Sequence, residues 1–281
     1  MSPAPQSPTT RTELGGQIAA RLSSERERVT TQFRTSGRVP YFHIDDLLDS
    51  ALAERIYSSF PPKEEMVLKK NLGQRKYVAV QMNRYASILE EIIYGFQEPV
   101  VVKAIEEITG IPDLIPDEHL YAGGLSLMAR DSYLNPHLDN SHDKDQKLFR
   151  ALNLLFYVTP DWREEDGGNF ELWDDGPSGK QRTIWSRFNR LVVMATTKTS
   201  WHSVSEVKAD RERCCVSNYY FTAVPFDGNL DYHVTTFRGR PREKVRDVLM
   251  VADNLVRTTV RKTFGEKVFR NPHVYKDPRS K

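Results

Sequence analysis

Short runs of apolar residues, separated by turn residues, occupy much of the chain between residues 119 and 224. The six runs cover 120–129, 133–138, 152–158, 169–173, 191–195 and 214–224. Turn sequences such as Asp166-Gly167-Gly168 lie between them and mark the ends of strands. Several short strands in succession predict a mainly β domain, either a sandwich or a barrel.

Helical patterns flank this β-rich region on both sides. Residues 12–35 place Ile18, Leu22, Val29 and Phe33 among charged residues at helical spacing, which predicts one amphipathic helix. Three further helices are predicted near 48–60, with Asp45 or Asp46 as its cap, over 98–109 and over 243–264.

The segments between and beyond these elements predict the organisation of the chain. Residues 63–84 are polar and mixed, which suits a mobile loop over a site. Residues 1–11 are rich in Pro, Ser and Thr and are expected to be disordered. We expect one domain over 12–240 that includes supporting N-terminal helices, followed by a C-terminal helix and a basic tail over 241–281.

Composition excludes several classes of protein. The 281 residues carry a formal net charge of +2, too close to balance for a dedicated nucleic-acid binder. No apolar run is long enough for a membrane span, and the absence of a signal-like segment favours the cytoplasm. The only two cysteines, Cys214 and Cys215, are adjacent, which fits a reduced compartment and rules out a disulfide framework.

His137, Asp139 and His202 are the candidate metal ligands. His137 and Asp139 are two residues apart, so on a strand both side chains leave the same face. Two imidazoles and one carboxylate leave positions open on an octahedral Fe(II), as non-haem oxygenases require. A His and an Asp at this spacing also occur by chance as an ordinary surface or core pair, so the pair needs further support.

That support comes from six segments in a fixed order, at 133–139, 150–162, 166–173, 189–196, 201–202 and 213–221. With them the sequence resembles the Fe(II)- and 2-oxoglutarate-dependent oxygenases, in particular their prolyl-hydroxylase-like branch, over roughly 39–240. The resemblance implies a double-stranded β-helix, a jelly roll with flanking helices. It also implies that His137, Asp139 and His202 bind Fe(II), with 2-oxoglutarate and O2 as the other reactants.

The resemblance also assigns candidate residues to the 2-oxoglutarate pocket. Arg213, 11 residues after His202, matches the basic residue that holds the distal carboxylate, unless it pairs at the surface with Glu212 or Asp210. Tyr157 matches a tyrosine that contacts the cosubstrate, although a core tyrosine is the alternative. Two more candidates share the strand faces of these residues, namely Asn153 with Tyr157, and Cys215, where relatives often have Ser or Thr, with Arg213.

The resemblance favours hydroxylation, since Asp139 is retained where halogenating relatives have a small residue, and desaturation or ring formation are the alternatives. We expect the substrate to be a small polar metabolite or an amino-acid derivative. A prolyl or other peptidyl hydroxylase is the alternative, and peptide or protein partners are possible. A non-oxygenase metal-binding jelly roll, such as an isomerase or a sensor, and a scaffold protein are alternatives of other classes. A homodimer through the terminal helices is possible. Arg130, Asp131 and Arg150 are expected as solvated charges at the open end of the barrel.

Overall fold

The computed structural model describes residues 9–264 and Tyr275. Its helices are α1 (Arg11–Ser24), α2 (Arg26–Thr35), α3 (Ser50–Ser58), α4 (Ser87–Gly95), α5 (Pro99–Thr109) and α6 (Lys244–Phe264). Its strands are β1 (Tyr41–Ile44), β2 (Val67–Lys70), β3 (Gln74–Ala79), β4 (Ile115–Pro116), β5 (Gly124–Met128), β6 (Tyr133–Leu138), β7 (Phe149–Tyr157), β8 (Phe170–Leu172), β9 (Arg182–Ile184), β10 (Arg190–Ala195), β11 (His202–Val204), β12 (Arg213–Thr222) and β13 (Thr236–Phe237).

At both ends of the chain, the structure places residues that the sequence does not predict to be ordered. Thr10 caps α1 through a capping box with Glu13, so order begins before residue 11. Residues 1–8 of the predicted disordered segment lie outside the described residues. The basic tail from Arg270 also lies outside them, except for Tyr275, which is buried with its hydroxyl 2.8 Å from a carboxylate oxygen of Glu90.

The helix predictions are right in place but wrong in two details. The single helix predicted at 12–35 is two helices, because the chain bends at Glu25, where the backbone leaves helical geometry. This bend lets α1 pack on α4 and α5 while α2 packs on β1 and α5. Asp49, rather than Asp45 or Asp46, caps α3 by accepting hydrogen bonds from the next turn. The helix α4 was not predicted.

The strands confirm the double-stranded β-helix. Within the described residues, all thirteen strands join one antiparallel sheet that curls on itself. Four neighbours, β10-β7-β12-β5, form one wall, and four others, β6-β11-β8-β9, form the facing wall. The strand β3 pairs with both β5 and β6 and so connects the two walls. The segment predicted as a loop at 63–84 is instead largely the β2–β3 hairpin.

The strand β7 shows how the sheet separates two apolar layers. Leu152, Leu154 and Phe156 point to the outer face and join the core beneath α1 to α5. Leu155 and Tyr157 alternate with them and point into the space between the two walls. Because both faces are covered, the strand is almost continuously apolar instead of alternating with charges. The helices thus cover the outer face and leave the inner face for a cavity.

Within the described part of the chain, no helix combines the length and the apolarity that a bilayer crossing requires. Both cysteines are free and buried in the sheet, as expected for a chain without a disulfide framework.

Asp45 connects the end of β1 to β10 through two arginines. Its carboxylate accepts hydrogen bonds from Arg190 Nε at 2.5 Å and Nη2 at 2.9 Å, and from Arg187 Nη1 at 3.2 Å. Partial burial alone would raise the pKa of this carboxyl, but the hydrogen bonds and charges of Arg190 and Arg187 outweigh burial and lower it.

We therefore expect Asp45→Asn to destabilise the protein by about 1 kcal/mol at pH 7, a fall in Tm of roughly 2–4 °C. Since the folded pKa of Asp45 is lowered, its stabilisation is complete above the unfolded value of about 3.9 and is lost as the pH falls through the folded pKa. Thermal melts of wild type and variant should therefore converge at acid pH. A difference in Tm that is constant from pH 7 to the lowest pH measured would contradict this account.

Candidate active site

The three predicted metal ligands lie together between the two walls. His137 on β6 and His202 on β11 are paired in register, and their ring centroids are 4.0 Å apart. Asp139 follows β6 and places Oδ1 3.6 Å from Nε2 of His137 and Oδ2 3.7 Å from Nε2 of His202. One donor atom from each residue lies within 4.8 Å of the others, an arrangement that could hold a metal ion.

Hydrogen bonds on the far side of each imidazole fix the orientation of both rings. Nδ1 of His137 lies 3.0 Å from the carbonyl oxygen of Asn135, and Nδ1 of His202 lies 2.9 Å from that of Ser200. A carbonyl oxygen only accepts, so each Nδ1 donates and each Nε2 keeps its lone pair for a metal. Burial, and then the neighbouring His137, lower the pKa of His202 to about 3, which keeps this ring neutral.

The carboxylate of Asp139 is buried beside Arg150. Oδ2 of Asp139 lies 3.2 Å from Nη1 of Arg150 but forms no hydrogen bond with any described residue. Burial alone would raise the pKa of Asp139, but Arg150, His202 and His137 together outweigh burial, so the pKa lies below its ordinary value. An ionised oxygen and two neutral nitrogens suit a ferrous ion, so the residues present fit this metal.

The prediction of Arg150 as a solvated rim charge is wrong. Its side chain is 3% exposed, donates to Oδ1 of Asn140 at 2.6 Å and lies over the ring of Tyr219, 4.2 Å from the centroid. The register between β7 and β12 skips Ala151, so a bulge turns Arg150 toward the face of Asn153. Simple alternation along β7 assigns Arg150 to the opposite face, and the bulge itself has no signal in the sequence.

A cavity of about 120 Å³ extends from the metal ligands between the walls; we call it the inner cavity. All four predicted cosubstrate residues line it, namely Asn153, Tyr157, Arg213 and Cys215. Cys215 on β12 lies opposite Tyr157 on the neighbouring strand β7. Burial raises the pKa of the Cys215 thiol, so Cys215 presents a weak donor here.

Arg213 is buried in the sheet and is not paired at the surface with Glu212 or Asp210. It is 3% exposed, and its guanidinium lies 5.0 Å from the centroid of the Tyr157 ring. Its Nη1 donates to the carbonyl oxygen of Gly168 at 3.0 Å. Gly168 has a φ of +64°, and a Cβ there would meet the Arg213 side chain at 3.1 Å. A glycine therefore lets this turn lie directly against the arginine.

Several polar atoms of the inner cavity lack partners. Nε of Arg213, the hydroxyl of Tyr157 and Oδ1 of Asn153 are buried without a hydrogen bond to any described residue. Buried polar groups are nearly always satisfied in folded proteins, so unsatisfied ones in a cavity indicate a polar ligand. The guanidinium of Arg213 and the hydroxyl of Tyr157 are both donors and lie close together, so both could donate to one carboxylate group.

Sequence reasoning missed the residues of the β2–β3 hairpin. Lys69 and Lys76 line the inner cavity and also a wider space of about 320 Å³ outside it, which we call the mouth. The mouth shares His137 and Asp139 with the inner cavity and also contains Arg150. The turn residues Asn71 and Gly73 and the short run Tyr77-Val78-Ala79-Val80 are the only signals of a hairpin in residues 63–84, and the polar residues around them hide the pairing with the barrel.

Comparison with known proteins shows which family part of the chain resembles. Residues 123–221 match the model of the 2OG-Fe(II) oxygenase superfamily. Over 84 residues the chain is 33% identical to prolyl 3-hydroxylase OGFOD1 of Xenopus laevis, an alignment covering 28% of this chain. The chain spans only 16% of the length of that relative.

Two solved structures show the same fold. One, from work on prolyl 4-hydroxylases of Phytophthora capsici, has a TM-score of 0.54 at 18% identity, covering 95% of this chain and 83% of the other. A Trichoplax adhaerens prolyl hydroxylase in complex with a hypoxia-inducible factor peptide has a TM-score of 0.50 at 17% identity, covering 75% and 94%. Residues 123–221 therefore resemble the 2OG-Fe(II) oxygenase superfamily, and the chain has the fold of prolyl-hydroxylase-like structures.

The pair of Arg150 and Asp139 generates a prediction about stability without metal. Removing one partner of a buried ion pair leaves an uncompensated charge, which costs about 3–5 kcal/mol. We therefore expect Arg150→Met to lower the Tm of the metal-free protein by roughly 10 °C. Saturating Mn(II) should raise the Tm of the variant more than that of wild type, because the cation replaces the lost charge beside Asp139.

The matched control is the double variant Arg150→Met/Asp139→Asn, which removes both charges. It should recover most of the lost Tm without responding to Mn(II). Equal stabilisation of wild type and Arg150→Met by Mn(II) would show that Arg150 does not compensate Asp139.

Proposed function

We propose that this protein is an Fe(II)- and 2-oxoglutarate-dependent dioxygenase that hydroxylates an unactivated C–H bond of a small polar metabolite or amino-acid derivative. The observation that carries the proposal is one cavity with three metal donors at one end and unsatisfied carboxylate-binding groups beside them. The match of residues 123–221 to the 2OG-Fe(II) oxygenase model supports the same activity.

In this proposal, different residues bind the metal and the cosubstrate. His137, Asp139 and His202 would hold Fe(II) and leave its remaining positions open. Arg213 would hold the distal carboxylate of 2-oxoglutarate through its guanidinium fork, with the Tyr157 hydroxyl as a second donor. Bound iron, O2 and 2-oxoglutarate supply the oxidation, in which one oxygen atom enters the substrate as a hydroxyl group and the other enters succinate as CO2 leaves.

Apolar side chains of the inner cavity complete this arrangement. Phe170, Leu155 and Val204 line the space next to the metal ligands and the cosubstrate residues. They limit the number of water molecules near the reacting groups, which strengthens every charge interaction there. Phe237 lies against His137, with ring centroids 5.2 Å apart, and holds that ligand from the side of the mouth.

The mouth supports a small polar substrate. Its volume of about 320 Å³ falls at the lower end of the range for small-molecule sites. Most of its lining side chains are polar or charged, including Gln74, Asn140 and Arg150. Such a lining suits a metabolite with several hydrogen-bonding groups.

A prolyl residue of a peptide or protein is the second candidate substrate. The 33% identical segment belongs to a relative described as a prolyl 3-hydroxylase, which supports this chemistry for our chain. Free L-proline derivatives and proline-containing peptides should therefore be tested side by side. Cytoplasmic location and a homodimer stay predictions from the sequence.

The activity itself is tested by release of succinate. With Fe(II), 2-oxoglutarate and O2, wild-type protein should produce succinate, faster with a substrate than without, whereas Asp139→Ala should produce none above background. Under anaerobic conditions Fe(II) plus 2-oxoglutarate should give a weak visible charge-transfer band. Absence of both signals in folded wild-type protein would reject the oxygenase in favour of a sensor, an isomerase or a scaffold.

The role of Arg213 is tested separately. Loss of hydrogen bonds to a charged group costs about 1.5–3 kcal/mol, so Arg213→Ala should raise the KM for 2-oxoglutarate roughly 10- to 100-fold. Arg213→Lys keeps the charge but not the guanidinium fork, so its KM for 2-oxoglutarate should lie between those of wild type and Arg213→Ala. Full succinate release by Arg213→Ala at low 2-oxoglutarate would show that another residue holds the cosubstrate.

A further inference from the structure

Two lysines face the candidate metal centre from the β2–β3 hairpin. Lys69 on β2 and Lys76 on β3 are directly opposite each other in the register of the hairpin. Both are half-buried, and both line the inner cavity and the mouth. Neither lysine side chain forms a hydrogen bond or an ion pair with another residue in the part of the chain that the structure describes.

This arrangement is unfavourable unless something else compensates it. Like charges directly opposite each other destabilise a β hairpin, and burial adds a desolvation penalty. Burial, followed by the charge of Lys69, lowers the pKa of Lys76 to about 8, and burial also lowers the pKa of Lys69. The adjacent Lys70 is exposed on the other face of the strand, which is the ordinary position for a hairpin lysine.

The remaining charged groups of the two spaces do not neutralise the lysines. Asp139 is the only carboxylate among the described residues that line the inner cavity and the mouth. It is already paired with Arg150 and belongs to the metal-ligand set. Arg213, the other cation of the inner cavity, lies on β12 and is assigned to the cosubstrate. No carboxylate among the described residues that line these two spaces is therefore left to match Lys69 and Lys76.

We propose that Lys69 and Lys76 together bind an oxyanion of the primary substrate, so that the enzyme acts on acidic molecules. This inference rests on the proposed function and specifies its substrate class. Two ammonium groups on adjacent strands are point charges with rotatable donors, which suits either a carboxylate or a phosphate group. Because the lysines line the mouth as well as the inner cavity, the anionic group would lie beside the metal ligands while the rest of the substrate occupies the mouth.

The test uses pairs of compounds that differ in one charged group. The probes are N-acetyl-L-proline with N-acetyl-L-prolinamide, N-acetyl-L-glutamate with N-acetyl-L-glutamine, and O-phospho-L-serine with L-serine. Each is titrated into the full-length protein loaded with Mn(II) and 2-oxoglutarate, and heat release gives the Kd. The first two pairs report on a carboxylate and the third on a phosphate, so the larger preference identifies the oxyanion.

In wild-type protein we expect at least one anionic probe to bind roughly tenfold more tightly than its neutral partner. The double variant Lys69→Met/Lys76→Met should reduce this preference to about twofold or less. Lys70→Met removes a lysine from the same strand but from its exposed face, and should keep the preference. The double variant should melt at or above the temperature of wild type, because the opposed charges are gone.

Three results of the binding experiments would overturn the inference. They are equal binding of the charged and neutral probes to wild type, no binding of any anionic probe at millimolar concentration, and a preference that survives in the double variant. The inference would also fail if Lys69→Met/Lys76→Met raised the KM for 2-oxoglutarate as much as Arg213→Ala does. The lysines would then hold the cosubstrate and not the primary substrate. Failure of the proposed function gives a different result. In that case wild-type protein would release no succinate but would still prefer the charged probes over the neutral ones.

Discussion

The antiparallel pairing of β6 with β11 is the constraint on which the rest of the site depends. It sets His202 directly opposite His137, and a shift of one residue would turn one imidazole to the other face of the sheet. The backbone carbonyl of each local segment then orients its ring through Nδ1, so no distant side chain is needed to aim either Nε2. The carboxylate of Asp139 joins them because it lies two residues beyond His137 on the same face.

The remainder of the fold supports this pairing from outside. Since β7 and its neighbours are apolar on the outer face, that face needs a layer of helices before the inner face can enclose a cavity. Leu14, Ile18 and Leu22 of α1 are completely buried in that layer. The inner face is then free to carry polar side chains such as Arg213 and Asn153, whose desolvation is tolerated where a ligand can satisfy them.

Much of this could be predicted because it follows from two periodicities. A period of two placed His137 with Asp139 and Asn153 with Tyr157 on shared faces, and helical spacing located α5 and α6. The misses have local physical causes. The bulge at Ala151 reverses the face of Arg150, and the bend at Glu25 depends on which partners α1 and α2 find. Lys69 and Lys76 were overlooked because strand pairing through polar residues produces no apolar pattern.

The charged side chains of the site include predicted residues and residues that the sequence analysis missed. One carboxylate among the described lining residues faces four cationic side chains, Lys69, Lys76, Arg150 and Arg213, before any metal charge is added. Asp139 balances Arg150 at 3.2 Å, and the unsatisfied Nε of Arg213 indicates a further anion at β12. Low-dielectric walls strengthen each of these charge interactions. On the proposed function, a site built in this way would select anionic ligands in succession, and the hairpin lysines would extend that selection from the cosubstrate to the primary substrate.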